Sequence, residues 1–134
     1  MKHFSLIELV APEILAVLSD DMAWRLIPDY VQSGLDALRE KAGLPIWING
    51  NGRVDSGVRS KDSKTGAAKS GHKGYRGLTC FDLHCSDLVL LRGVVESNYQ
   101  RLHICEVERY EFTPTWLHVA FSKQEPKILK FIKP

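Results

Sequence analysis

Leu102-His103-Ile104-Cys105-Glu106-Val107-Glu108-Arg109-Tyr110-Glu111-Phe112, then Thr113-Pro114, then Thr115-Trp116-Leu117-His118-Val119-Ala120-Phe121, reads as two strands broken at a proline. β-Branched and aromatic residues recur in both halves, and proline, which cannot donate into a sheet ladder, belongs at the connection. So short a connection predicts antiparallel neighbours. Side chains alternate along a strand, which puts Trp116, His118 and Ala120 on one face. Leu78 to Leu83 has the same strand character. Pro45-Ile46-Trp47-Ile48-Asn49 is a shorter strand, followed by a turn at Gly50-Asn51-Gly52. Lys127 to Phe131 is an edge strand or a short docked segment.

The helical signals lie mostly upstream. Ser5 to Leu18 is amphipathic and predicts one or two short helices broken near Pro12. Ser19-Asp20-Asp21 caps the next segment, because Ser and Asp side chains accept from free helix N–H groups. Ile27, Val31, Leu35, Leu38 and Ala42 then recur at helical spacing, and Gly43 supplies the left-handed residue that stops the helix. Ser86 or Asp87 can cap a further helix whose apolar residues are Leu88, Leu91 and Val95. Helices first and strands later predict an α+β fold: one domain, 1–134, with N-terminal helices packed on a small, mostly antiparallel sheet.

The 134 residues are 44% hydrophobic and 25% charged, the balance of an ordinary globular domain. A net charge of +2 is too small to argue for nucleic acid as partner. No run of eighteen apolar residues occurs, so no membrane insertion is expected. Glu8, Pro12 and Glu13 interrupt any apolar core of a signal peptide. The expectation is a protein, monomeric, that stays cytoplasmic until released or travels with a virion. Three cysteines are an odd number, which argues against a disulfide framework and for a reducing compartment.

The chemistry concentrates between Asp55 and Asp82, and at His118. Lys61 to Gly77 is polar, rich in Lys and Gly, and expected at the surface. It contains Ser70-Gly71-His72. Beyond it lies Cys80-Phe81-Asp82-Leu83-His84-Cys85. Imidazole nitrogen and carboxylate oxygen both suit zinc, and three protein ligands leave a fourth position for water. His72, Asp82 and His118 are the candidate ligands. On position alone, His118 also reads as a hydrogen-bonded core histidine and His72 as a surface one. Cys80 and His84 share the face of Asp82 and are the alternative ligands. Thr65-Gly66-Ala67-Ala68-Lys69-Ser70 has the flavour of a phosphate loop but lacks its spacing.

Ser56-Gly57-Val58-Arg59-Ser60, Ser70-Gly71-His72, Asp82 and Trp116-Leu117-His118, in that order, resemble the zinc D-Ala-D-Ala carboxypeptidase and peptidoglycan endopeptidase family, whose fold the hedgehog signalling domain shares. His3-Phe4-Ser5-Leu6-Ile7-Glu8-Leu9 resembles the opening segment of phage and bacterial members. Leu35 to Arg39 and Gly43 to Ile48 resemble the family's helix and first strand. The resemblance implies a zinc-dependent peptidase acting on peptidoglycan stem or cross-link peptides, with Zn2+ on His72, Asp82 and His118. Arg59 would contact the substrate near its carboxylate, and Ser70 the loop or the substrate. Tyr110-Glu111 matches the position of the base in some members, making Glu111 the candidate general base. The family spaces its His and Asp seven apart, against ten here, and Thr115 stands where many members carry an acid. Those departures point to the alternative, a zinc-binding relative without turnover that serves as a structural or binding module.

Overall fold

The computed structural model describes residues 1–50, 52–65 and 70–134. Its helices are α1 (Leu6–Leu9), α2 (Pro12–Leu15), α3 (Asp20–Trp24), α4 (Asp29–Ala42) and α5 (Leu88–Asn98). Its strands are β1 (Thr79–Leu83), β2 (Ile104–Glu108), β3 (Leu117–Phe121) and β4 (Lys130–Ile132). The fold is α+β. The four strands form one mixed sheet in the order β1-β3-β2-β4, antiparallel except where β4 runs parallel to β2.

The helix boundaries have identifiable causes. Ser19 caps α3, its Oγ accepting from the Met22 N–H. Asp87 rather than Ser86 caps α5, accepting from the Leu90 N–H at 3.0 Å. Gly43 ends α4 at φ 63°, where a Cβ would be strained. The apolar stripe from Ile27 to Ala42 is not one helix continued from α3. Pro28 interrupts it as the N-cap of α4, since proline has no N–H to bond into a preceding turn. Ile27 is buried all the same, from the linker.

A single apolar cluster runs from Phe4 through Val31, Leu35 and Leu38 of α4, Leu91 and Val95 of α5, to Phe81, Val107, Val119 and Phe121 of the sheet. The helix α4 lies close on the sheet at Gly34, where a Cβ would stand 2.9 Å from the Phe121 ring and 2.6 Å from the Leu102 carbonyl oxygen. Two strand expectations shrink. Pro45 to Asn49 contributes only an isolated antiparallel bridge between Trp47 and His84. The strand expected to reach Phe112 stops at Glu108, and Arg109 to Phe112 closes as a turn through the Phe112 N–H and the Arg109 carbonyl. Asn51 and the stretch 66–69, including most of the phosphate-loop look-alike, lie outside the described residues. Gly50 and Arg53 bridge across the expected turn.

Candidate metal centre

Three neighbouring strands build the floor of the site. In the β1–β3 register Asp82 sits opposite His118 and Cys80 opposite Ala120. Directly opposed residues share a face of an antiparallel pair. The β2–β3 register would carry the alternation of Ile104, which faces the core opposite Phe121, straight into Glu106 and Glu108. A bulge between Ile104 and Glu106 prevents this and sets Glu106 opposite Ala120. That one extra residue turns Glu106 and Glu108 from the core face to the face of Asp82 and His118. The row Asp82–His118–Glu108 follows, one step beyond the Val107–Val119 pair.

The segment that carries His72 folds down over this row. Gly71–Lys73 is a single 3-10 turn, capped by Ser70, whose Oγ accepts from the His72 N–H at 3.3 Å. The expectation of a wholly surface loop fails here: His72 and Lys73 are both buried, with Lys73 Nζ donating to the Ser63 carbonyl. Burial is allowed by two glycines. A Cβ at Gly71 would run into Cys80 Sγ, and one at Gly57 into the Leu9 carbonyl. Gly57 lies in the segment that bridges Val58 to Val10, and its own carbonyl accepts from His72 Nδ1 at 3.0 Å.

His72, Asp82 and His118 present ligand atoms that all lie within 4.8 Å of one another, a group able to hold a metal ion. Asp82 Oδ1 is 2.8 Å from His118 Nδ1 and 3.3 Å from His72 Nε2. A carbonyl can only accept, so Nδ1 of His72 carries a proton for Gly57. Its Nε2 can then meet the carboxylate in two ways: as an N–H donor when the ring is protonated, or through its lone pair with a cation held between the two groups. Tetrahedral N and O ligands of zinc at about 2.0–2.1 Å stand about 3.3 Å apart. The donor set and the 3.3 Å His72–Asp82 spacing suit a divalent metal, whereas the 2.8 Å His118–Asp82 contact is a direct hydrogen bond that a bound metal would replace. The Gly57 carbonyl supplies the outer hydrogen bond that fixes a ligating imidazole's tautomer.

The electrostatics agree with the geometry. Burial raises the Asp82 carboxyl, but hydrogen bonds from His118 and His72 outweigh it and hold the group well below the usual carboxylate range. Burial lowers His118, yet the hydrogen bond to Asp82 and the neighbouring Cys80 push it up to about 10 in the metal-free protein. Arg59 sits against the other side of Asp82, Nη2 being 3.6 Å from Oδ2, while its Nε donates to the Asp55 carbonyl. Its backbone N–H donates to the His72 carbonyl.

Arg59, Ser70, His72, Asp82 and His118 all line one open cleft of about 570 Å3. Glu111 does not. Because β2 ends at Glu108, Glu111 falls on the exposed turn, 58% exposed, and pairs with Arg109 at 2.7 Å. The acid that the sheet does deliver is Glu108, whose Oε1 is 3.9 Å from His118 Nδ1. Strand alternation alone hides it; the bulge that aims it involves Cys105, a residue with no bulge signature. Of the alternative ligands, Cys80 is buried and lines the cleft. His84 is turned elsewhere, with Nε2 3.1 Å from Ser56 Oγ, and burial lowers its pKa. All three cysteines are free.

No family model matches this chain, and neither the curated proteins nor the solved structures yield a match. What stands is an α+β domain with a potential metal-binding triad of two histidines and one aspartate at the base of a cleft.

Proposed function

We propose that the chain is a zinc-dependent peptidase with the hedgehog-like fold of the zinc D-Ala-D-Ala carboxypeptidases, hydrolysing peptide bonds of peptidoglycan stems or cross-links. The observation that carries the reading is the row Asp82–His118–Glu108 across three strands, with His72 closing over it: three ligands and, beside them, one carboxylate that is not a ligand. The substrate class comes from the sequence resemblance; the open cleft is compatible with an extended chain.

Zinc held by His72, Asp82 and His118 would lower the pKa of a water and polarise the scissile carbonyl. Glu108 is the general base in this reading, replacing Glu111. Its carboxylate takes a proton from the attacking water as the new C–O bond forms, and returns it to the amine nitrogen as the C–N bond breaks. Arg59 fixes Asp82 through Oδ2, leaving Oδ1 to the imidazoles. A guanidinium has five N–H donors, so donors remain for a substrate carboxylate. Ser70 holds the His72 turn.

The test pairs metal analysis with a peptidoglycan-digest assay. Purified chain should hold one zinc and release peptide fragments, and Glu108→Gln should hold zinc but release none. A zinc-loaded wild type that frees nothing from any wall type would leave the domain a metal-binding module.

A further inference from the structure

The cleft over the metal centre does not end at its own wall. A second cleft, of about 640 Å3, shares Arg76, Leu78 and Glu106 with the first. The partition is an ion pair, Arg76 Nη2 to Glu106 Oε1 at 2.7 Å, in which Glu106 is 7% exposed and Arg76 54% exposed. Arg76 is held there with φ 58°, left-handed backbone that a residue with a Cβ rarely adopts, inside the turn Tyr75–Gly77. Such conformations persist where surrounding structure over-determines them, and they gather at functional sites.

The far cleft is basic. Lys123, Lys127 and Lys130 line it, facing Glu125 and a Glu106 already neutralised by Arg76. None of the three lysines has an ion-pair partner among the described residues. Their backbone is pinned rather than loose. Ser122 Oγ donates to the Gln124 carbonyl at 2.7 Å, Tyr99 Oη donates to the Lys127 carbonyl at 3.1 Å, and Lys130 pairs with Glu106 in the β2–β4 ladder. Unpaired cations on an ordered wall favour an anionic ligand through complementary charge.

We propose that the two clefts form one groove, and that the Lys123–Lys127–Lys130 wall binds the carboxylates of an extended acidic peptide whose other end reaches the metal centre. The Arg76–Glu106 pair is the saddle between the halves, with the guanidinium the cation the peptide meets on crossing. Describing that peptide as substrate rests on the peptidase reading; binding of an acidic chain to the wall does not. Within that reading the groove selects a long, carboxylate-bearing peptide over a free dipeptide end.

The test is fluorescence anisotropy with a labelled ten-residue peptide carrying four glutamates, beside its glutamine counterpart, at low salt. Wild type should bind the glutamate peptide about tenfold more tightly than the glutamine one, and the preference should fade as salt screens it. The Lys123→Glu/Lys127→Glu/Lys130→Glu variant should lose that preference while keeping the zinc stoichiometry of wild type. Lys41→Glu, a charge change on α4, should leave it intact. Equal binding of the two peptides by wild type overturns the proposal, as does a preference that survives the triple reversal. If acidic-peptide binding behaves as expected while zinc-loaded protein cleaves nothing, the peptidase reading fails and the groove stands.

Discussion

His118 Nδ1 lies 2.8 Å from Asp82 Oδ1 although 36 positions separate the two residues, because β1 and β3 pair them directly across the ladder. Two adjacent strands thus hold two ligand atoms of the candidate centre in register. Removing either should abolish stoichiometric metal. Asp82→Asn and His118→Ala, exchanged against zinc and analysed by elemental mass spectrometry, should return well under one zinc per chain. Full occupancy in Asp82→Asn would remove that carboxylate from the ligand set.

The same contact predicts a pH signature. His118 has a folded pKa of about 10 against an ordinary value of 6.5. Its share of the stability of the metal-free protein is therefore fully present below about pH 6.5 and fades as pH rises toward 10. Asp82, held below its ordinary range, contributes above about pH 4 and loses that contribution in acid. Chelator-treated protein should be most heat-stable between those limits. Metal uptake near neutral pH must displace the His118 proton, so calorimetry in buffers of different ionisation enthalpy should show about one proton released per metal. No release would refute a protonated His118.

Glu108 and Glu111 separate by a simple comparison. Glu108→Gln should lower turnover by about 10²–10⁴-fold, the range expected on losing a general base, with zinc retained. Glu111→Gln, which breaks only an exposed pair with Arg109, should leave turnover and stability nearly unchanged. The reverse pattern, measured on the same peptide substrate, would return the base to Glu111.

Two glycines should resist even alanine. Gly57→Ala drives a methyl into the Leu9 carbonyl, a backbone atom with little room to give. Gly71→Ala meets Cys80 Sγ, a side-chain atom. Each should cost about 1–3 kcal/mol by overpacking and displace His72. Cys80→Ala should recover most of the loss at Gly71 and none at Gly57, a difference readable in denaturant midpoints of the double variants.

Much of the architecture is legible in local chemistry. Capping side chains, the left-handed Gly43 and the apolar spacing of α4 and α5 each act within a few residues of themselves. Pro28 is legible too, once its missing N–H is weighed against the stripe that runs through it. Cys105 is different. Nothing in Ile104-Cys105-Glu106 announces a bulge, since the extra residue arises from how β2 meets β3, and so the facing of Glu108 stays hidden while Glu111 looks the better base. The burial of Lys73 is equally hidden, because its ammonium is received by a carbonyl ten residues away, among other contacts.

The amino-acid order by itself determined which residue types could ligate a metal and where the capped helices start and stop, because both depend on side-chain chemistry and short-range hydrogen bonding. Only the tertiary structure decided which of the available acids stands beside His118, and that Gly57 and Gly71 let His72 be buried against the sheet. Those outcomes depend on strand register and on close approach between distant backbones, which pairing across the whole sheet sets and no local stretch encodes.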